Sequence, residues 1–166
     1  MATVQTDRQA LIEQYARGPA RLREALARLP EAALKWRPAE GEWSAHEVVC
    51  HCADAETNSY LRIRYLVAER EPLIVGYDQE EWARVFDYHS LPLEPALAQV
   101  EIVRAATARL IRGLPDAAWR RAGRHTESGA YSADDWLRIY AEHLEIHAQQ
   151  IEANLAAWER AGRPTA

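Results

Sequence analysis

Apolar residues in this chain recur at three- and four-residue steps, the period of an amphipathic helix. Leu11, Tyr15, Leu22, Leu26 and Leu29 lie at such steps or their sums and predict a first helix from about Asp7 to Leu29. Gly18 and Pro19 fall inside it. Pro19 lacks a backbone donor, which predicts a kink rather than a stop. A connector rich in breakers follows to Trp43, with Pro30, Pro38 and Gly41. Ser44 and Glu47 then form a Ser-x-x-Glu capping box ahead of an apolar run. It opens a second helix, expected to reach about Glu69, with Val48, His51, Cys52 and Ala55 on its buried stripe.

The segment Pro72 to Ser90 is less regular and holds a short helical stretch around Trp82 and Phe86. A third long helix is predicted from about Pro95 to Gly113, with Leu97, Val100, Val103, Thr107 and Leu110 facing inward. Gly113 and Pro115 end it. A loop containing Gly123 and Gly129 leads to Ser132 and Asp135, which repeat the capping pattern. The last helix runs to about Gly162. Four long helices joined by strand-poor connectors predict an all-α four-helix bundle, one domain over residues 1–166, with its topology left open.

Composition agrees: 48% of residues are apolar, enough for a sizeable core. The net charge of -5, with acids and bases interleaved and no basic stripe, argues against nucleic acid as a partner. No apolar run is long enough to cross a bilayer. The first residues carry no secretory h-region, and Cys50 and Cys52, two apart on a helix, are placed to remain free thiols. The expectation is a cytoplasmic protein.

Projected on a helical wheel, His143 and His147 share the inward face of the last helix with Trp136, Tyr140, Ile151 and Trp158. Asn154 falls on that face too; it either finds a partner or lies past the core, and the second is expected. His-x-x-x-His places two imidazoles one turn apart, which suits two ligands of one metal ion or a hydrogen-bonded pair. His51, on the buried stripe of the second helix, is the candidate third ligand. Leu144 stands where the Glu of the zincin pattern would be, so the motif carries no general base. His46 has poor spacing for a shared ion and is expected at the surface, as is His89. Glu47 is accounted for by its capping role.

Trp43-Ser44-Ala45-His46-Glu47, continuing through His51-Cys52-Ala53-Asp54, resembles the signature of the DinB-like family, and His143-Leu144-Glu145-Ile146-His147 resembles its second half. Fainter echoes are Gly18-Pro19, Tyr77-Asp78 with Trp82, and Trp119 with Gly123 and His125. The resemblance implies a four-helix bundle, often a homodimer, whose metal ligands fall on His51, His143 and His147. It implies zinc or nickel as the ion. It also implies chemistry on a small molecule, either hydrolysis or transfer using a low-molecular-weight thiol. Cys52 replaces the usual leucine and puts a thiol near the site.

Asp78, His125 and Tyr140 are the candidates for proton-transfer or supporting roles. Arg62, Arg64 and Arg104 are candidates for a basic patch at the mouth, or else solvated charges. The competing reading is a non-catalytic bundle in which the histidines hold a structural metal or bond to one another. A site plugged by Trp or Leu would favour that reading; an accessible one favours an enzyme.

Overall fold

In a computed structural model that describes residues 2–164, four long helices form a closed ring. They are α1 (Ala2–Leu26), α3 (Ala45–Ala68), α5 (Leu93–Arg112) and α7 (Ala133–Arg160). α1 packs on α7 and α5, and α3 packs on α5 and α7, so α3 and α7 are neighbours. Short elements fill the connectors: α2 (Glu31–Leu34), β1 (Leu73–Ile74), α4 (Gln79–Val85) and α6 (Asp116–Trp119). The stretch expected to be a loop before α7 is instead a hairpin, β2 (Ala122–His125) and β3 (Gly129–Ser132). β1 joins β2 in parallel, Leu73 opposite Arg124 and Ile74 opposite His125, which makes a three-stranded sheet. Gly129 sits at φ +81, a conformation that suits glycine, and lets the hairpin turn. Gly123 has a different task. A Cβ there would lie 2.3 Å from the carbonyl oxygen of Pro72, so only glycine lets β1 approach.

Both capping boxes form. Ser44 and Glu47 exchange side-chain and backbone hydrogen bonds at the start of α3, and Ser132 and Asp135 do so at the start of α7. Arg37 adds a two-pronged ion pair to Glu47, at 2.5 and 2.9 Å. Burial alone would raise the Glu47 pKa; Arg37 and Ser44 outweigh it and hold it at about 2. The two helices that carry His51, His143 and His147 thus begin at fixed points.

The inner faces match the apolar periodicity. Tyr15, Leu22, Leu97, Val100, Leu144 and Ile151 are enclosed. α1 runs unbroken through Gly18 and Pro19, so the proline does not stop it, as expected. Three polar side chains depart from expectation. His46 is buried, not exposed, with Nε2 2.6 Å from the Leu91 carbonyl oxygen. Asn154 is buried rather than past the core, and donates to the Trp43 carbonyl at 2.9 Å. Arg104 is fully buried and belongs to no surface patch.

Candidate metal centre

His51 points from α3 toward His143 and His147 on α7. One nitrogen from each ring lies within 4.8 Å of the others. The ring centroids are 5.6 Å (His51–His143), 4.8 Å (His51–His147) and 4.6 Å (His143–His147) apart. His51 is enclosed, while the two α7 rings are partly exposed. The Trp43 ring stands 4.8 Å from that of His51; Asn154 holds the Trp43 backbone, and the indole Nε1 donates to Glu80 at 3.1 Å.

Burial, with the neighbouring His147 and His143, pushes His51 down to about 2. Burial and His143 push His147 down to about 4. Near neutral pH these two rings are therefore neutral, the form that binds metal. His147 Nδ1 lies 2.9 Å from Gln150 Oε1; because that oxygen can only accept, Nδ1 carries the proton and Nε2 is left for a ligand. Nδ1 of His51 is buried with no hydrogen-bond partner.

A buried charge network stands behind His143. Its Nδ1 is 3.4 Å from Glu56 Oε1, within ion-pair range though not aligned as a hydrogen bond. Glu56 and Arg104 are both wholly buried and paired through two bonds, of 2.7 and 2.6 Å. Burial would raise the Glu56 pKa; the Arg104 guanidinium overcomes this, with His143 adding to the pull, and holds it below the usual range.

Arg104 also donates to the carbonyls of Tyr15 at 2.7 Å and Tyr140 at 2.8 Å. The Tyr15 carbonyl is the one that the residue at position 19 would bond in an ordinary helix. Pro19 has no N–H, so this carbonyl is free to accept from Arg104. Gly18 makes the room, since a Cβ there would lie 3.2 Å from Arg104 Nη1 and 3.0 Å from Leu144 Cδ1.

Among the other sequence candidates, Tyr140 adjoins the site. Its ring centroid is 5.6 Å from that of His143, and its hydroxyl accepts from Arg62 at 3.0 Å. Asp78 and His125 do not join the three histidines. Asp78 is exposed and caps α4 by accepting from Glu81 N at 2.9 Å. His125 ends β2, where its Nδ1 accepts from the Glu127 amide. Arg64 lies on the ring of Tyr60, with its guanidinium carbon 3.2 Å from the centroid. Cys52 is enclosed in the core, and burial raises its thiol pKa well above the ordinary value; Cys50 is pushed up to about 11. Neither thiol is poised to react. Sequence reasoning passed over Glu56 and took Arg104 for a charge at the mouth or the surface. A signal was there: Glu56 lies four residues after Cys52 on the buried stripe of α3, and Arg104 lies between Val100 and Thr107 on the inner face of α5.

Comparison with known proteins agrees with this arrangement. A sequence model of the DinB superfamily matches residues 14–151. The chain belongs to the DinB superfamily. A relative from Oceanobacillus iheyensis, named as a candidate metal-dependent hydrolase, is 35% identical over 111 residues, which cover 67% of this chain and 64% of that one. A relative of the same name from Geobacillus kaustophilus is 31% identical over 134 residues, 80% of this chain and 75% of its own. The match to a third, from Geobacillus thermodenitrificans, spans only 58% of that protein. The solved structure of YfiT from Bacillus subtilis, described as a probable metal-dependent hydrolase with an unusual four-helix bundle topology, superposes with a TM-score of 0.82 at 24% identity, covering 95% of this chain and 89% of YfiT. The fold is that four-helix bundle.

Proposed function

We propose that this protein is a metal-dependent enzyme acting on a small molecule, with one divalent ion held by His51, His143 and His147. The observation that carries the reading is the convergence of three imidazole nitrogens within 4.8 Å of one another, two of them on partly exposed rings. The residues fit an ion: the His51 and His147 rings are neutral, and a buried His51 nitrogen has no protein partner. Three imidazoles leave a coordination position open, the pattern of reactive rather than closed structural sites. Zinc or nickel suits such nitrogen ligands, and a divalent ion there supplies Lewis-acid activation of a water or of a low-molecular-weight thiol.

The protein's own groups set the geometry. Gln150 fixes the His147 tautomer, Glu56 sets a carboxylate beside His143 with Arg104 behind it, and the Trp43 ring packs against His51. Tyr140 stays a neutral phenol, because burial raises its pKa; its hydroxyl accepts from Arg62 and keeps its proton to donate. The accessible edge of the α7 histidines favours this reading over a structural metal, which needs a closed shell. A homodimer in the cytoplasm completes the proposal.

The test is metal analysis of protein purified without an affinity tag. Wild type is expected to hold about one divalent ion per chain, and His147→Ala to bind it about tenfold or more weakly. Screens against ester, amide and thiol-acceptor substrates then separate hydrolysis from thiol transfer. Wild-type protein that binds no divalent ion at micromolar affinity or better would sink the proposal.

A further inference from the structure

We infer that Arg62, Tyr77 and Tyr140 form a subsite for an oxyanion, a carboxylate or phosphate, carried by the substrate of the metal centre; the inference rests on the proposed function for what lies next to it. On α3, His51, Asp54, Asn58 and Arg62 follow one another at spacings of three and four residues and so share one face. An arginine side chain leans back toward the helix N-terminus, here toward the histidines. Arg62 Nη1 donates to Tyr140 Oη at 3.0 Å and Nη2 to the Val75 carbonyl at 2.7 Å. Tyr140 in turn faces His143. One tyrosine ring therefore separates the guanidinium from the metal ligands.

Two features make this more than a structural arginine. First, among the described residues no carboxylate lies within ion-pair distance of Arg62, although the chain has an excess of acids. The neighbouring acids are engaged by other groups. Glu56 is taken by Arg104, Asp54 accepts from the Tyr88 hydroxyl at 2.5 Å, and Glu127, exposed on the hairpin turn, rests over Gly76. Two donors of Arg62 are occupied; a guanidinium has five, in a planar fork that matches an oxyanion. Second, the Tyr77 hydroxyl is buried with no partner. Its ring lies 5.9 Å from the Arg62 guanidinium carbon, and the Trp82 ring, 4.3 Å away, fixes it. An unpaired cation and an unpaired hydroxyl meet beside a site that would carry a dication on neutral ligands. Glu56 and Arg104 cancel, and even with the Asp54 carboxylate counted against Arg62 and a dication the balance is positive, so an anionic substrate supplies what is missing.

The experiment titrates inorganic phosphate, acetate and the neutral isostere acetamide into the wild-type protein, metal-loaded and metal-free, following the arginine Nε–H resonances by NMR. Phosphate or acetate should shift the Arg62 signal saturably, and acetamide should not. Arg62→Met should weaken anion binding about tenfold or more and leave metal affinity, measured by chelator competition, unchanged. Tyr77→Phe, which removes one atom, should weaken it several-fold and serves if the arginine variant does not fold. Anion affinity equal to wild type in both variants overturns the inference and makes the ion alone the anion site. So does wild-type protein that binds neither anion. The metal-free arm isolates this inference from the previous one: if the protein takes up no divalent ion yet still binds the anion through Arg62, the subsite stands and the metal reading falls.

Discussion

Histidine, glutamate and arginine play unequal parts in what the sequence makes legible. Spacing put His51, His143 and His147 on inward faces, where an imidazole is unusual enough to notice, and the family resemblance joined them into one candidate ligand set. Glu56 and Arg104 lie on inner faces too but were not read as buried, because a charged residue is by default a solvated one. Only the fold shows that each neutralises the other with no exposure. His46 and Asn154 were misplaced for the same reason: their burial is satisfied by the carbonyls of Leu91 and Trp43, residues far away in sequence. A prediction follows for Glu56. Carboxylates behind metal-bound histidines typically contribute 10- to 100-fold in affinity. Glu56→Gln is therefore expected to weaken divalent-ion binding by about that factor, measured by competition with a chromophoric chelator on protein shown to be folded by circular dichroism. Unchanged affinity would reduce Glu56 to a partner of Arg104 alone.

Among the elements, the long helices follow from apolar period and capping chemistry, and their starts at Ala45 and Ala133 were readable to the residue. The hairpin was not. Its four-residue strands are too short for alternation to register, and Gly123, which read as a loop residue, is there for close approach to Pro72. Gly18 illustrates the same limit. In an exposed helix interior, Gly→Ala stabilises by about 0.5–1 kcal/mol. Here the added methyl meets Leu144, which is enclosed, and Arg104, which is held by four hydrogen bonds. Neither can yield cheaply. Gly18→Ala is expected to destabilise by about 1–3 kcal/mol, the range for overpacking, as measured by urea denaturation. A stabilising result would show that α1 and α7 move apart easily.

For the whole molecule, the buried titratable groups set a direction with pH. The pKa of His51 falls from 6.5 to about 2 and that of His147 to about 4. As pH drops through 6.5 the unfolded chain takes up protons that the native state refuses, so stability is lost. Glu47, Glu56 and Asp135 are held below their ordinary values, and their contribution, present above about 4.5, is lost as pH falls toward the folded values. The metal-free protein should therefore lose stability steadily below about pH 6.5 and faster below about pH 4.5. Urea midpoints at neutral and mildly acidic pH read this directly; a flat profile between them would mean that water reaches the imidazoles.

Pro19 has no chemistry of its own, yet the carbonyl it leaves free anchors the arginine that sets the carboxylate behind His143. That makes the centre hard to transplant. Copying three histidines onto two helices of another bundle would reproduce the imidazoles without the free carbonyl in a third helix that anchors Arg104. A graft intended to carry this centre has to bring the proline along.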